Sequence, residues 1–251
     1  MTAQATNGHA ANGTNGTNGT NGTNGSALRT KICVFCGASP GNKPEYVEAA
    51  RALARALAAN KIDLADRFLR SVYGGGTVGL MGEVAKTLCE LRGPDAVHGI
   101  IPEALVRFER DGTYATLNAE GRYVPDKAKY GRTTIVPDMH TRKKLMAEEV
   151  FAGGPGSGFV GLPGGFGTME ELFEVITWNQ LGIHDKGIVL LNVGDYWRGM
   201  LDLIDNAVGE GFIRDSNKDI VLAARDGDEA IQMLRNYKVA GGIYGLEWGK
   251  Q

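Results

Sequence analysis

Along most of this chain, short apolar runs that end in glycine or proline alternate with longer amphipathic runs. That alternation restricts the fold more than any other feature of the sequence. Residues 32–35, 71–73, 97–101, 158–162, 187–192 and 220–222 read as strands, and residues 44–59, 80–91, 142–151, 168–181, 196–208 and 228–237 read as helices. In the first of these helices Tyr46, Ala50, Leu53 and Leu57 recur at helical spacing. Strands separated by helices of this length build βαβ units, so the expected architecture is α/β with a parallel sheet. No linker interrupts the pattern, and a single domain over residues 28–238 is expected.

Sheets of this kind bind ligands beyond the C-terminal ends of their strands. The glycine content fits: of 37 glycines, six lie in the first 26 residues, and the other 31 are still about twice the usual ~7% of a chain. Glycine gathers where a backbone turns sharply or approaches a ligand closely. A formal net charge of -2 carries no basic excess and argues against a nucleic-acid binder. No apolar run approaches the ~20 residues of a membrane-spanning helix. Residues 1–27 carry tandem Asn-Gly-Thr triplets and no core-forming run, which predicts a disordered tail. Each triplet fits the N-glycosylation pattern, but no basic flank or apolar signal segment precedes them, so a cytoplasmic protein is expected. Residues 239–251 read as a C-terminal tail.

Cys33 and Cys36 form a C-x-x-C in a strand, where two side chains three residues apart point to opposite faces. With Cys89 the count is odd, and neither a disulfide framework nor a redox pair is expected. The four histidines, His9, His98, His140 and His184, are scattered, so no metal site is expected. No lysine has a convincing Schiff-base setting, and no cofactor is expected.

Three stretches carry chemistry. Gly74, Gly76 and Gly79 make a G-x-G-x-x-G between a strand and a helix, a turn that presents backbone N–H groups to an anion. A dinucleotide site also needs an acid at the end of the next strand, and that strand ends in His98-Gly-Ile-Ile-Pro; a mononucleotide or phosphate loop is the better reading. A second literal match, Gly156, Gly158 and Gly161, runs into a strand and carries nothing. Next, Leu162-Pro-Gly-Gly-Phe-Gly-Thr-Met-Glu-Glu ends a strand and opens a helix. Glu171 there has two readings: the partner of Thr168 in a capping box, or a carboxylate facing the ligand pocket. Last, Asp138-Met-His-Thr-Arg-Lys-Lys places cations at a helix start, where the macrodipole opposes them. Either an anionic ligand supplies the reason or the run is a solvated surface. His140 reads as a local hydrogen-bonding residue rather than a base.

Together these stretches resemble the LOG family, the cytokinin riboside 5′-monophosphate phosphoribohydrolases, whose members are often mislabelled lysine decarboxylases. The family hallmark P-G-G-x-G-T-x-x-E stands as Pro163 to Glu171, and M-H-x-R-K as Met139 to Lys143. Phe35-Cys-Gly-Ala-Ser, Tyr73-Gly-Gly-Gly, Val175 to His184, Leu191-Asn-Val, Tyr196 and Gly209-Glu-Gly-Phe-Ile extend the match over roughly residues 30 to 237. The resemblance implies a Rossmann-like, doubly wound parallel sheet with helices on both faces. It implies hydrolysis of the N-glycosidic bond of an N6-modified AMP to free base and ribose 5-phosphate, without cofactor or metal. It names Arg142 and Glu171 as the catalytic pair. Lys143, Gly165, Phe166, Gly167, Thr168, Met169, Glu170 and Thr177 would line the nucleotide site, with Gly37, Ser39, Gly75 and Gly76 contributing and Glu109 as a further acid. Residues 111–134 form a longer stretch than the family carries before M-H-x-R-K. The resemblance also implies a homo-oligomer, a dimer or larger, whose site is completed at the interface. Two other readings share these motifs: a non-catalytic nucleotide or cofactor carrier of the same fold, and a hydrolase of other nucleoside 5′-monophosphates such as AMP.

Overall fold

The computed structural model describes residues 29–60, 70–106, 116–118 and 121–239. The Asn-Gly-Thr tail, Glu109 and the residues from 240 onward lie outside the described residues. In chain order the elements are β1 (Lys31–Phe35), α1 (Pro44–Ala59), β2 (Arg70–Tyr73), α2 (Gly79–Arg92), β3 (Val97–Pro102), α3 (Glu103–Val106), β4 (Thr116–Leu117), β5 (Tyr123–Val124), α4 (Lys127–Tyr130), β6 (Arg132–Val136), α5 (Met139–Phe151), β7 (Gly158–Gly161), α6 (Phe166–Gln180), β8 (Gly187–Leu191), α7 (Arg198–Gly209), β9 (Val221–Ala224) and α8 (Gly227–Asn236). Short 3-10 turns precede β3, α7 and β9.

Seven strands form one parallel sheet in the order β6-β3-β2-β1-β7-β8-β9, and β4 and β5 pair as a separate antiparallel hairpin. From β1 at the centre the chain winds out through β2 and β3 to β6, then returns to β7 beside β1 and winds out the other way. This is the doubly wound, Rossmann-like architecture. Alternation along the strands divides two cores. Ile32, Val34, Tyr73, Val160 and Val189 face α1, α2 and α8, while Cys33, Val72, Phe159 and Ile188 face α5 and α6. Register aligns each set into a row: Val72, Cys33, Phe159 and Ile188 are successive partners across four strands. The three cysteines are free and buried; Cys33 sits in one core and Cys36 in the other, as the strand geometry requires.

Every strand and helix expected over the described residues is present. Five further elements were not expected: α3, α4, the β4–β5 hairpin and the edge strand β6. β6 matters most, because Arg132–Thr134 belongs to the sheet rather than to an appended stretch. It pairs with β3 from His98↔Arg132 to Pro102↔Val136. Its sequence, Arg-Thr-Thr-Ile-Val, is polar because an edge strand keeps one side open to water, and that polarity hid it.

His184 ties the loop after α6 to the second core. Its Nε2–H donates to Val175 O at 2.8 Å and its Nδ1 accepts from Lys186 N at 3.1 Å. The ring stacks on Phe151 with centroids 4.9 Å apart. Burial lowers its pKa from 6.5 to about 4. The sign follows: between those values the unfolded chain binds a proton that the folded chain refuses. Stability from this site is therefore complete above pH 6.5 and lost as pH falls toward 4, by roughly 3 kcal/mol in all. Urea midpoints measured at pH 7 and pH 5 should fall more for the wild type than for His184→Gln. Equal losses in both proteins would refute it.

Candidate functional site

The winding reverses between β1 and β7, and a crevice opens where the loops after these two strands part. Gly37–Gly41 follows β1, and Leu162–Gly165 follows β7. Gly37 N donates to Pro163 O at 3.0 Å, and Leu80 N donates to Gly37 O at 3.1 Å, so the two loops and the start of α2 are tied together. They enclose a cavity of about 510 Å³ whose lining includes Gly37, Ser39, Tyr46, Leu80, Gly165 and Tyr196.

α6 begins at Phe166 with Gly165 as its N-cap and no side chain capping it. The Thr168–Glu171 capping box is therefore absent: Thr168 lies inside the first turn and is buried. α2 also starts without a side-chain cap, but its Leu80 and Met81 N–H groups already donate to Gly37 O, so only the α6 start has first-turn donors to spare. An uncapped helix start leaves backbone N–H groups for a ligand, and the macrodipole favours an anion there. A Cβ added at Gly165 or Gly167 would meet nothing within 4 Å, so this turn is open on its outer side. Phe166 stands 93% exposed beside it.

α5 delivers the basic residues. Asp138 caps it, its carboxylate accepting from Thr141 N at 2.7 Å, and that bond lowers the Asp138 pKa. One turn in, Arg142 is buried and its Nη2 donates to Glu171 Oε1 on α6. The guanidinium also lies against the turn after β2, where a Cβ on Gly74 would come within 2.7 Å of Nη2. Its Nε is buried and makes no hydrogen bond. Glu171 is 4% exposed. Burial raises its pKa above the usual glutamate value, and the Arg142 charge and hydrogen bond oppose the rise without cancelling it. Lys143 Nζ is bound by Glu170 and lies 2.7 Å from Glu174 Oε2. Burial lowers the Lys143 pKa, but the two carboxylates outweigh it and the net shift is upward. Two adjacent cations on α5 thus meet three carboxylates on α6.

The structure brings together Arg142, Lys143, Glu170 and Glu171, and separately gathers Gly37, Ser39 and Gly165 around the cavity. Gly75 and Gly76 are buried at the end of β2, outside the cavity lining. Met169 packs half-buried against the second core. Thr177 is exposed, its hydroxyl donating to Phe173 O within α6. It lies twelve residues beyond Gly165, ~18 Å up the helix, and does not reach the cavity. Lys143, expected to take a phosphate, has its ammonium engaged by Glu170 and Glu174 in this structure. Sequence reasoning missed Glu174, Tyr46 and Tyr196 as parts of the site. The spacing Glu170–Glu174 on one helical face was a usable signal. An aromatic pair in the turn between β8 and α7, Tyr196-Trp197, was another.

A family model described as "possible lysine decarboxylase" matches residues 81–234. The cytokinin riboside 5′-monophosphate phosphoribohydrolase LOG7 of Arabidopsis thaliana is 43% identical over 208 residues, 83% of this chain and 82% of that protein. The probable cytokinin riboside 5′-monophosphate phosphoribohydrolase LOGL1 of Oryza sativa subsp. japonica is 42% identical over 82% of this chain and 79% of that protein. The chain belongs to the LOG family. Another relative, the bifunctional cytokinin biosynthesis protein of Fusarium pseudograminearum (strain CS3096), is 50% identical over 81% of this chain. The chain spans only 39% of that longer protein. Among solved structures, the molybdenum cofactor carrier protein of Chlamydomonas reinhardtii aligns with a TM-score of 0.53 at 15% identity, over 82% of this chain and 96% of that one. The molybdenum cofactor binding protein of Rippkaea orientalis aligns with a TM-score of 0.52 at 14% identity. At such identities the likeness is one of fold, and the LOG-family fold is thus shared with carriers.

Among the described residues, no group of three or more His, Cys, Asp or Glu side chains could hold a metal ion, and no helix is long and apolar enough to cross a membrane.

Proposed function

We propose that this LOG-family chain hydrolyses the N-glycosidic bond of N6-modified AMP, releasing the free base and ribose 5-phosphate. The observation that carries the reading is the buried Arg142–Glu171 pair beside an uncapped helix start at the sheet's reversal point. A pure nucleotide binder has no need of that pair. Its relatives named for this reaction support it.

The chemistry follows from the groups present. Cleaving the ribosyl C–N bond builds an oxocarbenium-like sugar and negative charge on the leaving purine. Glu171 is assigned to the sugar side, steadying the cation and orienting the attacking water. Arg142 is assigned to the leaving base and to transition-state geometry, because a guanidinium stays charged and is a poor proton donor. The N–H groups from Gly165 to Thr168 take the 5′-phosphate. Lys143 contributes long-range positive charge, already tempered by Glu170 and Glu174. Anchoring the remote phosphate positions the sugar, so part of the binding energy is spent on the chemical step.

The reading includes a homo-oligomer. Phe166, Phe173, Leu203 and Phe212 are exposed large apolar side chains on and near α6 and α7, and α7 has no buried residue. Such surface supports an interface near the site. Three free, buried cysteines support a reducing, cytoplasmic location.

Incubation with isopentenyladenosine 5′-monophosphate, followed by chromatography, should release free base and ribose 5-phosphate. The unphosphorylated riboside should turn over at least ~100-fold more slowly. Bound but uncleaved nucleotide would overturn the hydrolase reading and favour a carrier. Equal cleavage of plain AMP would widen the substrate class to nucleoside monophosphates at large.

A further inference from the structure

We propose that Tyr196 is a positioning residue whose phenol holds the Gly164 carbonyl away from the anion site, so that the β7–α6 loop offers only N–H donors to a phosphomonoester. This deepens the functional reading above and rests on its assignment of the 5′-phosphate to that loop.

The loop is built from peptides that could easily face the wrong way. Gly164 and Gly165 have no side chains to resist rotation of the peptide between them. A trans peptide points its C=O and N–H in opposite directions. If this one turned over, the Gly164 oxygen would take the place of the Gly165 N–H, and a lone pair would face an anionic oxygen. Tyr196 removes that freedom: its hydroxyl donates to Gly164 O. Neighbouring carbonyls are tied in the same manner. Trp197 Nε1 donates to Gly161 O at 3.2 Å, Gly37 N donates to Pro163 O at 3.0 Å, and Met169 N donates to Gly165 O at 3.0 Å.

The residues that do the holding are themselves held. Asn192 opens the turn after β8: its Nδ2 donates to Asp195 Oδ1 at 3.0 Å, and its Oδ1 accepts from Trp197 N at 2.8 Å. Asp195 has φ 61, the one non-glycine residue with positive φ among the described residues. Strain of that kind persists only where the surroundings over-determine the backbone, and it gathers at functional sites. Trp197 is buried, and the Tyr196 ring meets it edge-on at 5.0 Å. On its other side the Tyr196 ring meets Tyr46 edge-on at 5.9 Å, and both tyrosines line the cavity. The turn after β8 therefore sets the polarity of the loop after β7, and it does so without touching Arg142 or Glu171.

The test is binding of AMP, ribose 5-phosphate and adenosine by calorimetry to the full chain and to two variants. Tyr196→Phe keeps the ring and its packing, and the residue is 36% exposed, so the fold survives loss of one oxygen. Tyr237→Phe is the matched control, because it loses a phenol bonded to Asn179 Oδ1 at 3.3 Å, remote from the cavity. Tyr196→Phe should bind AMP and ribose 5-phosphate roughly tenfold more weakly, with adenosine binding unchanged. In turnover the same loss should enter KM for the monophosphate and leave the riboside untouched. Tyr237→Phe should keep the full preference for phosphate. Wild-type affinity for AMP in Tyr196→Phe overturns the proposal, and so does an equal loss for AMP and adenosine, which would mark a merely structural role. A wild-type chain that does not prefer AMP to adenosine would overturn the phosphate site itself and the functional reading with it.

Discussion

Glu171→Gln should lower turnover of an N6-modified AMP by roughly 10³-fold while leaving nucleotide affinity within about threefold. The replacement is close to isosteric, and its carbonyl oxygen can still accept from Arg142, so the buried guanidinium keeps a partner. What disappears is the negative charge that faces the developing sugar cation. Affinity survives because the 5′-phosphate is held by backbone N–H groups at the start of α6, not by this side chain. The pH profile is a second readout. Burial holds the Glu171 pKa above 4.5, with Arg142 opposing, so the acid limb of kcat should lie above that of an ordinary glutamate. The carboxylate is the active form, so activity is present above its pKa and lost as pH falls through it. The residual activity of the Gln variant should lack that limb. Single-turnover rates across pH for both proteins settle the matter; near-normal turnover in the variant would remove Glu171 from the mechanism.

Gly79→Ala should cost about 3–5 kcal/mol and lower the melting temperature by about 10 °C. Gly79 has φ +61, in the left-handed region that side chains disfavour. A Cβ there would lie 2.4 Å from Ala38 C and 2.5 Å from Ser39 N, and both are backbone atoms. Relief requires moving the whole loop after β1 away from the start of α2. That loop lines the cavity, so ligand binding should weaken together with the fold. Thermal denaturation of the variant, with and without AMP, measures both effects. A melting point within 2 °C of the wild type would show that the two backbones can part cheaply.

Part of the candidate site is legible in the sequence alone. Pro163-Gly-Gly-Phe-Gly-Thr stood out because glycines between an apolar run and a helical run have few structural excuses. The sequence leaves Glu171 two readings, since a capping box and a pocket carboxylate use the same spacing. The helix start removes the first of them: α6 opens at Phe166, two residues before Thr168, which leaves Thr168 nothing to cap. The solvated-surface reading of Arg142 fell for a different reason. Its guanidinium is buried against Glu171, 29 residues away in sequence, and no local pattern announces that contact.

The sequence by itself determined the parallel α/β sheet, the presence and order of its longer helices and the two glycine turns. These follow from periodicity and from backbone conformations open mainly to glycine, which are properties of neighbouring residues. Only the tertiary structure decided that Lys143 is shared between Glu170 and Glu174, that polar Arg132–Val136 is an edge strand, and that Tyr196 reaches the Gly164 carbonyl. Each depends on partners brought side by side by the strand order β6-β3-β2-β1-β7-β8-β9. A chain records its local preferences in every short window. The pairing of distant windows is set by how the sheet closes its two cores.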